Sequence, residues 1–192
     1  MHNLLKGKKG IIFGALDEKS IAWKVAEECV ANGAEIVLTN APTALRLGSI
    51  QELAKKCNTQ IISADATSLE DLENLLKNSM DIFSGKIDFI LHSIGMSINV
   101  RKKRDYTDLN YDYLIKGFDI SALSFHKLLQ TAMKLDAINS WGSVLALSYI
   151  AAQRTFPSYN DMAENKSYLE SIARSFGYHY GIRRKVRVNT IS

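Results

Sequence analysis

The chain of 192 residues is 46% hydrophobic and carries a formal net charge of +4. This length and apolar content predict one domain with a full hydrophobic core. The two prolines and eleven glycines are spread through the sequence, so no stretch is typical of a linker or of low complexity, and the sequence shows no internal repeat. The longest apolar run near the N-terminus, residues 10–16, is shorter than a membrane span or the core of a signal peptide, so we expect a cytoplasmic protein outside the membrane.

Apolar runs alternate with segments of helical periodicity along the whole chain. We expect strands over residues 10–13, 35–39, 60–64, 87–92, 143–148 and 186–191. The predicted helices cover residues 21–30, 49–57, 68 to about 83, 111 to about 135 and 159–180, with a bend in the fourth at residues 119–121. Ser68 and Asp71 resemble a capping box at the start of the third helix.

This alternation of strands and helices predicts right-handed crossovers and a Rossmann-type α/β fold, a doubly wound parallel sheet with helices on both faces. In such sheets ligands bind beyond the carboxyl ends of the strands. Four unusual polar segments follow predicted strands: residues 14–20, Asp65, residues 93–95 and residues 148–149. Their shared position predicts a nucleotide site at that edge of the sheet.

The turn after the first strand is expected to hold the pyrophosphate of a dinucleotide on the amides of a helix N-terminus. It contains Gly14 but lacks the three-glycine fingerprint, and Ser20 is placed to cap the next helix while its hydroxyl binds phosphate. Asp65 is placed to accept a hydrogen bond from the adenine amino group. Ser93 and Gly95 are small, which lets a cofactor approach the backbone closely.

Tyr159, Met162 and Lys166 are spaced so that a helix places all three side chains on one stripe. A phenol beside an ammonium group is a proton donor whose pKa the positive charge lowers. The same pattern also suits two core side chains and a lysine that extends to solvent. The polar segments at the other strand ends favour the catalytic interpretation.

Several landmarks occur in order over nearly the whole chain. They are Gly14-x5-Ser20-Ile21-Ala22, Asp65, His92-Ser-Ile-Gly95, Leu147-Ser-Tyr149, Tyr159-x2-Met162-x3-Lys166 and Arg187-Val-Asn-Thr-Ile-Ser192. In these landmarks the chain resembles the bacterial-type NADH-dependent enoyl-acyl carrier protein reductases, a branch of the short-chain dehydrogenase/reductase superfamily. The seven-residue step from Tyr159 to Lys166 is typical of this branch, whereas other members place the lysine four residues after the tyrosine.

This resemblance implies that NADH reduces the trans-2 double bond of an enoyl-acyl carrier protein, the last step of the fatty acid elongation cycle. The catalytic residues that it implies are Tyr159, Tyr149 and Lys166. The cofactor contacts that it implies are Gly14, Ser20, Ile21, Asp65, Ala66, Ser93, Ile94, Gly95 and Lys166. It places Ser97 and Met162 beside the substrate.

The resemblance also implies an acyl carrier protein as the partner and a homo-oligomer, namely a tetramer. Apolar residues on more than one side of the helices at 121–135 and 159–180 agree with an oligomer.

NADPH remains a possible cofactor beside NADH, because residues 39–43 carry no acid for the adenosine 2′-hydroxyl and Arg46 lies close by. We expect no bound metal, since the four histidines share no metal-binding spacing, and no nucleic-acid partner, since the basic clusters at 101–104 and 183–187 lack interleaved aromatic residues.

In proteins of this family the chain continues past the sixth strand. It forms a loop at the nicotinamide, then a helical lid over the acyl pocket, and then a seventh strand. We therefore expect residues 1–192 to be a single dinucleotide-binding reductase domain that is C-terminally incomplete and lacks the lid and the seventh strand. Two other functions stay open, a 3-ketoacyl-reducing dehydrogenase of the same superfamily and a non-catalytic dinucleotide-sensing module. The presence of both Tyr159 and Lys166 argues against the sensor.

Overall fold

Six strands form the centre of the fold in the computed structural model, which describes residues 3–192. The strands are β1 (Lys9–Phe13), β2 (Glu35–Asn40), β3 (Gln60–Ser63), β4 (Ile87–His92), β5 (Ile138–Leu147) and β6 (Arg187–Ile191). They make one sheet in the order β3-β2-β1-β4-β5-β6, and all neighbouring strands are parallel. The strand order reverses between β1 and β4, which is where sheets of this kind bind ligands.

Helices connect the strands on both sides of the sheet. They are α1 (Ile21–Ala31), α2 (Pro42–Leu47), α3 (Ile50–Cys57), α4 (Leu69–Ile82), α5 (Ile98–Arg101), α6 (Tyr111–Phe118), α7 (Ser124–Lys134) and α8 (Met162–Arg184). Two short 3₁₀ turns lie at Tyr106–Asp108 and Ile150–Ala152. Within residues 3–192, no helix is both long enough and apolar enough to cross a membrane.

The sheet separates two hydrophobic cores, because successive residues of a strand point to opposite faces. Ile11 packs with residues of α4, α7 and α8, whereas its neighbour Ile12 packs with residues of α1 and α3. Both isoleucines are fully buried. The predicted doubly wound α/β fold and all six predicted strands are therefore confirmed.

Several elements differ from the sequence prediction. Strand β5 begins at Ile138 rather than at residue 143, and its pairing with β4 shifts between Ile87 and Phe89. The added segment contains Trp141 in a left-handed conformation (φ 65°) and has no apolar run that would predict a strand. The short helices α2 and α5 were not predicted, since six and four residues are too few to give a helical period.

Helix α8 begins at Met162, so the prediction that Tyr159 lies on this helix is wrong. Asn160 has a φ of 43°, a left-handed conformation that interrupts the helix between the two residues. Its side-chain amide donates to the carbonyl oxygen of Arg104 at 2.6 Å, which stabilises the turn. The helix also continues past the expected end at residue 180 and stops before Lys185, which again has a positive φ.

The bend predicted at residues 119–121 is a π-helical turn, Asp119–Leu123, which joins α6 to α7. Inside it, Ser121 Oγ accepts from the amide of Met96 at 2.8 Å and donates to the carbonyl oxygen of Met96 at 3.0 Å. Gly117 lies one turn earlier, and a Cβ atom there would be 3.0 Å from the same carbonyl oxygen. The π turn thus fixes the backbone that follows β4, and such turns are frequent at functional sites.

Candidate active site

A cleft of about 380 Å³ lies beyond the carboxyl ends of β4 and β5. It brings together many of the predicted site residues: Ser93, Ile94, Gly95, Ser97, Tyr149, Tyr159, Met162 and Lys166. Met96, Val100, Arg101, Leu147 and Ser148 complete its lining. The position agrees with the site expected at this edge of a doubly wound sheet.

Lys166 is the buried cation of the cleft, with 5% of its surface exposed. Its Nζ donates to the carbonyl oxygen of Leu147 at 2.6 Å and reaches that of Ile94 at 3.5 Å. These carbonyls follow the ends of β5 and β4, so the ammonium group lies across the strand ends. Burial lowers the pKa of Lys166 from 10.5 to about 8, so the side chain stays mostly protonated at neutral pH.

Three aromatic side chains pack together beside the cleft, and two of them, Tyr149 and Tyr159, line it. The ring of Tyr149 lies 4.7 Å from that of Tyr159 and 5.5 Å from that of Phe156, measured between centroids. Burial, and secondarily the neighbouring Tyr149, raise the pKa of Tyr159 above its usual value. The prediction that Lys166 lowers the pKa of this phenol is therefore wrong, because the lysine is directed to backbone carbonyls and Tyr159 lies outside helix α8.

Gly14 brings the ends of β1 and β4 into close contact. Its φ is 87°, and a Cβ atom there would lie 1.9 Å from the carbonyl oxygen of Ser93. No other residue type fits this position without a backbone shift. On the cleft side, a Cβ atom at Gly95 would lie 3.3 Å from Met162 and 3.6 Å from Lys166 Nζ, so this glycine keeps space beside the ammonium group.

Ser20 behaves differently from the prediction that its hydroxyl caps α1. Its Oγ donates to the carbonyl oxygen of Asp17 at 2.7 Å and accepts from the amide of Leu16 at 3.2 Å. The hydroxyl makes no cap bond to the helix and closes the loop after β1 instead. Ile21 follows as the first residue of α1 and is largely exposed.

Asp65 and Ala66 follow β3, four strand positions from β5, and do not line the cleft. The carboxylate of Asp65 accepts from the amide and the hydroxyl of Thr67, at 2.9 and 2.7 Å. The side chain is exposed, so it remains accessible at the outer end of the ligand-binding edge. Ser68 caps α4 as predicted, but Asp71 accepts from the amide of Asp65 and not from that of Ser68.

Two buried polar residues of the site were not predicted to have a role. Asp161 is 1% exposed and accepts from Ser97 Oγ at 2.6 Å. His92 is fully buried, its Nε2 lies 2.9 Å from Ser124 Oγ, and its Nδ1 has no partner among the described residues. Burial, followed by the charge of Lys166, lowers the pKa of His92 to about 3. Their sequence neighbours gave no signal for either, since His92 lies between Leu91 and Ser93 and Asp161 lies between Asn160 and Met162.

Comparisons with known proteins agree with this geometry. The family described as Enoyl-(Acyl carrier protein) reductase matches residues 14–192. The chain belongs to this family. Enoyl-[acyl-carrier-protein] reductase [NADH] 2 of Rhizobium meliloti is 32% identical over 193 residues, which cover 100% of this chain and 70% of that relative.

Solved structures extend the likeness to the whole described fold. The crystal structure of FabI from Alistipes finegoldii is 67% identical and has a TM-score of 0.98, covering 100% of this chain and 74% of that one. A FabI–NADH complex from the same organism is also 67% identical, with a TM-score of 0.97 and coverage of 99% and 67%. These neighbours confirm the Rossmann-type fold and the family indicated by the sequence landmarks.

Proposed function

We propose that this protein reduces the trans-2 double bond of enoyl-acyl carrier protein thioesters with NADH, the last step of fatty acid elongation. The observation that carries the proposal is the meeting of Tyr149, Tyr159 and Lys166 in one cleft at the ends of β4 and β5. Membership of the enoyl reductase family and the NADH dependence in the printed names of its relatives support the same activity.

The residues at the edge of the sheet fit a bound dinucleotide. Gly14 leaves no side chain over the end of β1, and Gly95 keeps space beside Lys166. The hydroxyl of Thr39, at the end of β2, is buried without a hydrogen-bond partner in the described structure. In our proposal the adenosine lies towards Asp65 and Ala66, the phosphates lie along Gly14, Ser20 and Ile21, and the nicotinamide end lies at residues 93–95 beside Lys166.

NADH, when bound, supplies a hydride to the β-carbon of the enoyl thioester. Negative charge then develops on the thioester oxygen, and a hydrogen-bond donor aimed at that oxygen stabilises the transition state. We assign this donor to the hydroxyl of Tyr159, whose raised pKa keeps the phenol protonated at neutral pH. Tyr149 packs against it and restricts where the ring can lie.

Lys166 has a separate role in our proposal, because two of its three N–H groups point at backbone carbonyls. The ammonium group is held rigidly at the strand ends, where the ribose hydroxyls of the nicotinamide half would lie. We therefore assign Lys166 to cofactor binding, with a secondary electrostatic effect on the charge that develops nearby. Its burial is costly for the charged form, and a binding role explains why a cation is kept there.

The acyl chain would lie along Met162, which is 7% exposed and lines the cleft. Ser97 also lines it, but its hydroxyl is engaged by Asp161 and by the amide of Val100. We infer that Ser97 meets the substrate through its backbone rather than through its hydroxyl. The sequence predicts only that Ser97 lies near the substrate.

The carrier protein is proposed to approach over a basic rim, defined as Arg101, Lys103 and Arg154. Arg101 lines the cleft, and the other two line a neighbouring groove of about 720 Å³. None of the three forms an ion pair within residues 3–192. Acidic carrier surfaces and the phosphate of the pantetheine arm complement this charge.

We also propose a cytoplasmic homo-oligomer, namely a tetramer. Of the apolar residues on the helices at 121–135 and 159–180 that predicted a second face, Phe125, Leu128 and Leu169 are buried inside the protomer, whereas Tyr168 is exposed. Further support comes from other exposed apolar side chains on α6 and α8: Tyr111, Ile115, Tyr178 and Ile182. Light scattering on the full-length protein should give four times the protomer mass.

The proposed cytoplasmic location is supported by Cys29 and Cys57, whose free, buried thiols suit a reducing compartment.

The activity is tested by following loss of NADH absorbance with crotonyl and acetoacetyl thioesters of the carrier protein. We expect turnover of the crotonyl thioester, and a preference for NADH over NADPH in parallel assays. Turnover of the acetoacetyl thioester alone would assign the protein to the ketoacyl-reducing class. The seven-residue step from Tyr159 to Lys166 is the feature that favours the enoyl substrate.

A further inference from the structure

A buried carboxylate joins the turn that carries Tyr159 to a distant segment that also lines the cleft. Asp161 is 1% exposed and forms no ion pair within the described residues. Ser97 Oγ donates to its Oδ1 at 2.6 Å, and Asn99 Nδ2 donates to its Oδ2 at 3.1 Å. Both carboxylate oxygens are therefore bound by neutral donors from a single distant segment.

These two donors also organise the segment to which they belong, residues 97–110. Ser97 Oγ accepts from the amide of Val100 at 3.0 Å and so caps α5. Asn99 exchanges two bonds with the backbone of Asn110: its Oδ1 accepts from the amide at 3.1 Å, and its Nδ2 donates to the carbonyl oxygen at 3.2 Å. Asp161 consequently holds the whole segment, and not one side chain.

Burial of a carboxylate only to fill space is energetically unfavourable. Its desolvation is costly, and a hydrophobic residue of similar size often fills such a space with no loss of stability. Asp161 follows Tyr159 by two residues and precedes Met162, and its donor Ser97 lines the same cleft as both of them. The network therefore joins two segments of the chain that line the cleft in which the proposed thioester would lie.

We propose that Asp161 is a positioning residue, which holds the Tyr159 hydroxyl at a fixed separation from the cleft wall formed by residues 96–101. This role rests on the proposed enoyl reduction, because the separation matters only when a substrate oxygen must meet the hydroxyl. Asp161 touches neither substrate nor cofactor in this role. It acts through the turn at Asn160 and through Ser97.

The first test compares Asp161→Asn with Glu164→Gln, a matched loss of charge three residues further along the chain, at an exposed carboxylate that accepts from Tyr106. In Asp161→Asn the amide oxygen can accept from Asn99, but the amide N–H group can bond to Ser97 Oγ only if that hydroxyl becomes the acceptor, so a charge-assisted bond is replaced by a weaker neutral one. We expect kcat for crotonyl-carrier thioester to fall by about tenfold, since a displacement of 1 Å can cost on the order of 10²-fold. The NADH dissociation constant should stay unchanged, and deuterated NADH should give a larger isotope effect on kcat than in wild type.

The second test does not depend on activity. Hydrogen–deuterium exchange of residues 97–113 should be roughly tenfold faster in Asp161→Asn, because a hydrogen bond to a charged group is lost, and exchange in β1 and β2 should not change. Ser97→Ala provides a second variant if Asp161→Asn folds poorly. Combined with Asp161→Asn it should add little further loss of kcat, since both substitutions act on the same contact.

Several outcomes would overturn the proposal. Unchanged kcat and unchanged exchange in a folded Asp161→Asn protein would mean that the carboxylate positions nothing. Parallel losses of melting temperature, NADH affinity and kcat would indicate a purely structural role. Exchange could also be faster in Asp161→Asn while the wild type fails to reduce enoyl thioesters. That result would confirm that Asp161 holds residues 97–110, and it would reject both the proposed function and the positioning role that depends on it.

Discussion

Lys166 Nζ and the carbonyl oxygen of Leu147 are 2.6 Å apart, which places a buried ammonium group at the carboxyl end of β5. The contact links the longest helix of the fold to the strand end that leads to Tyr149. It also explains why the lysine does not act on the phenol of Tyr159 directly. The two groups serve different parts of the proposed reaction, and the predictions below separate them.

Replacing Lys166 by methionine should change how stability depends on pH. The folded protein releases this proton near pH 8 and the unfolded chain near 10.5, so between these values the unfolded chain binds more protons. The stability of the wild type should therefore rise relative to Lys166→Met as pH increases from 8 to 10.5, by up to about 3 kcal/mol. Urea titrations at several pH values measure this, with the exposed Lys55→Met as control; a constant difference would contradict the burial of a charged lysine.

Tyr159→Phe and Lys166→Ala should affect different kinetic constants. Removing one donor to a developing oxyanion costs on the order of 10²-fold in kcat, so Tyr159→Phe should lose turnover with NADH affinity nearly intact. Lys166→Ala should also weaken NADH binding, by about 1.5–3 kcal/mol for a charge-assisted hydrogen bond. Calorimetry and steady-state kinetics distinguish the two, and equal losses of NADH affinity would reject these role assignments.

Gly14→Ala and Gly7→Ala separate backbone strain from steric conflict. Both glycines have positive φ, but a Cβ atom at Gly7 meets nothing within 4 Å, whereas at Gly14 it would meet Ser93. Gly7→Ala should cost about 1 kcal/mol of stability, the typical cost of this conformation for a residue with a Cβ atom. Gly14→Ala should cost about 3 kcal/mol or more, because overpacking adds to the strain, and it should also weaken NADH binding. If thermal unfolding showed the same loss of stability for both variants, the contact between residue 14 and Ser93 would not be tight.

The buried His92 should make the fold sensitive to acid. Its pKa is about 3 in the folded protein and 6.5 in the unfolded chain, so between these values the unfolded chain binds the extra proton. Stability should therefore fall as pH decreases below 6.5, by up to about 1.4 kcal/mol per pH unit from this group. His92→Gln should reduce this slope, whereas the exposed His179→Gln should leave it unchanged. Equal slopes for wild type and His92→Gln would show that the imidazole does not titrate on unfolding.

Most strands were predictable because they contain a short apolar run, as β4 illustrates with the predicted limits 87 and 92, whereas the first part of β5 contains none. The turn before α8 was not, because helical periodicity through Tyr159 gives no sign of the left-handed Asn160. The site residues on strand ends followed from topology, which brings distant strand ends to one edge. The role of Asp161 depends on donors more than 60 residues away in sequence, which periodicity cannot indicate.

The rim formed by Arg101, Lys103 and Arg154 gives a prediction about the carrier. Arg101→Glu with Lys103→Glu should raise KM for the crotonyl-carrier thioester and leave KM for the crotonyl N-acetylcysteamine thioester unchanged, because the second substrate has neither the protein nor the phosphate. A crotonyl thioester of phosphopantetheine tests the phosphate alone. Equal changes for all three substrates would place the effect in the cleft and reject the rim as a docking surface.

The most direct test of enoyl reduction follows the fate of the transferred hydride. The full-length protein is incubated with crotonyl-carrier thioester and NADH that carries deuterium at the transferred position of C4, and the acyl product is analysed by mass spectrometry and NMR. The account predicts a butyryl thioester with one deuterium at C3, formed on the order of 10²-fold more slowly by Tyr159→Phe. Crotonyl thioester recovered without deuterium, while acetoacetyl thioester yields a 3-hydroxybutyryl product deuterated at C3, would contradict it.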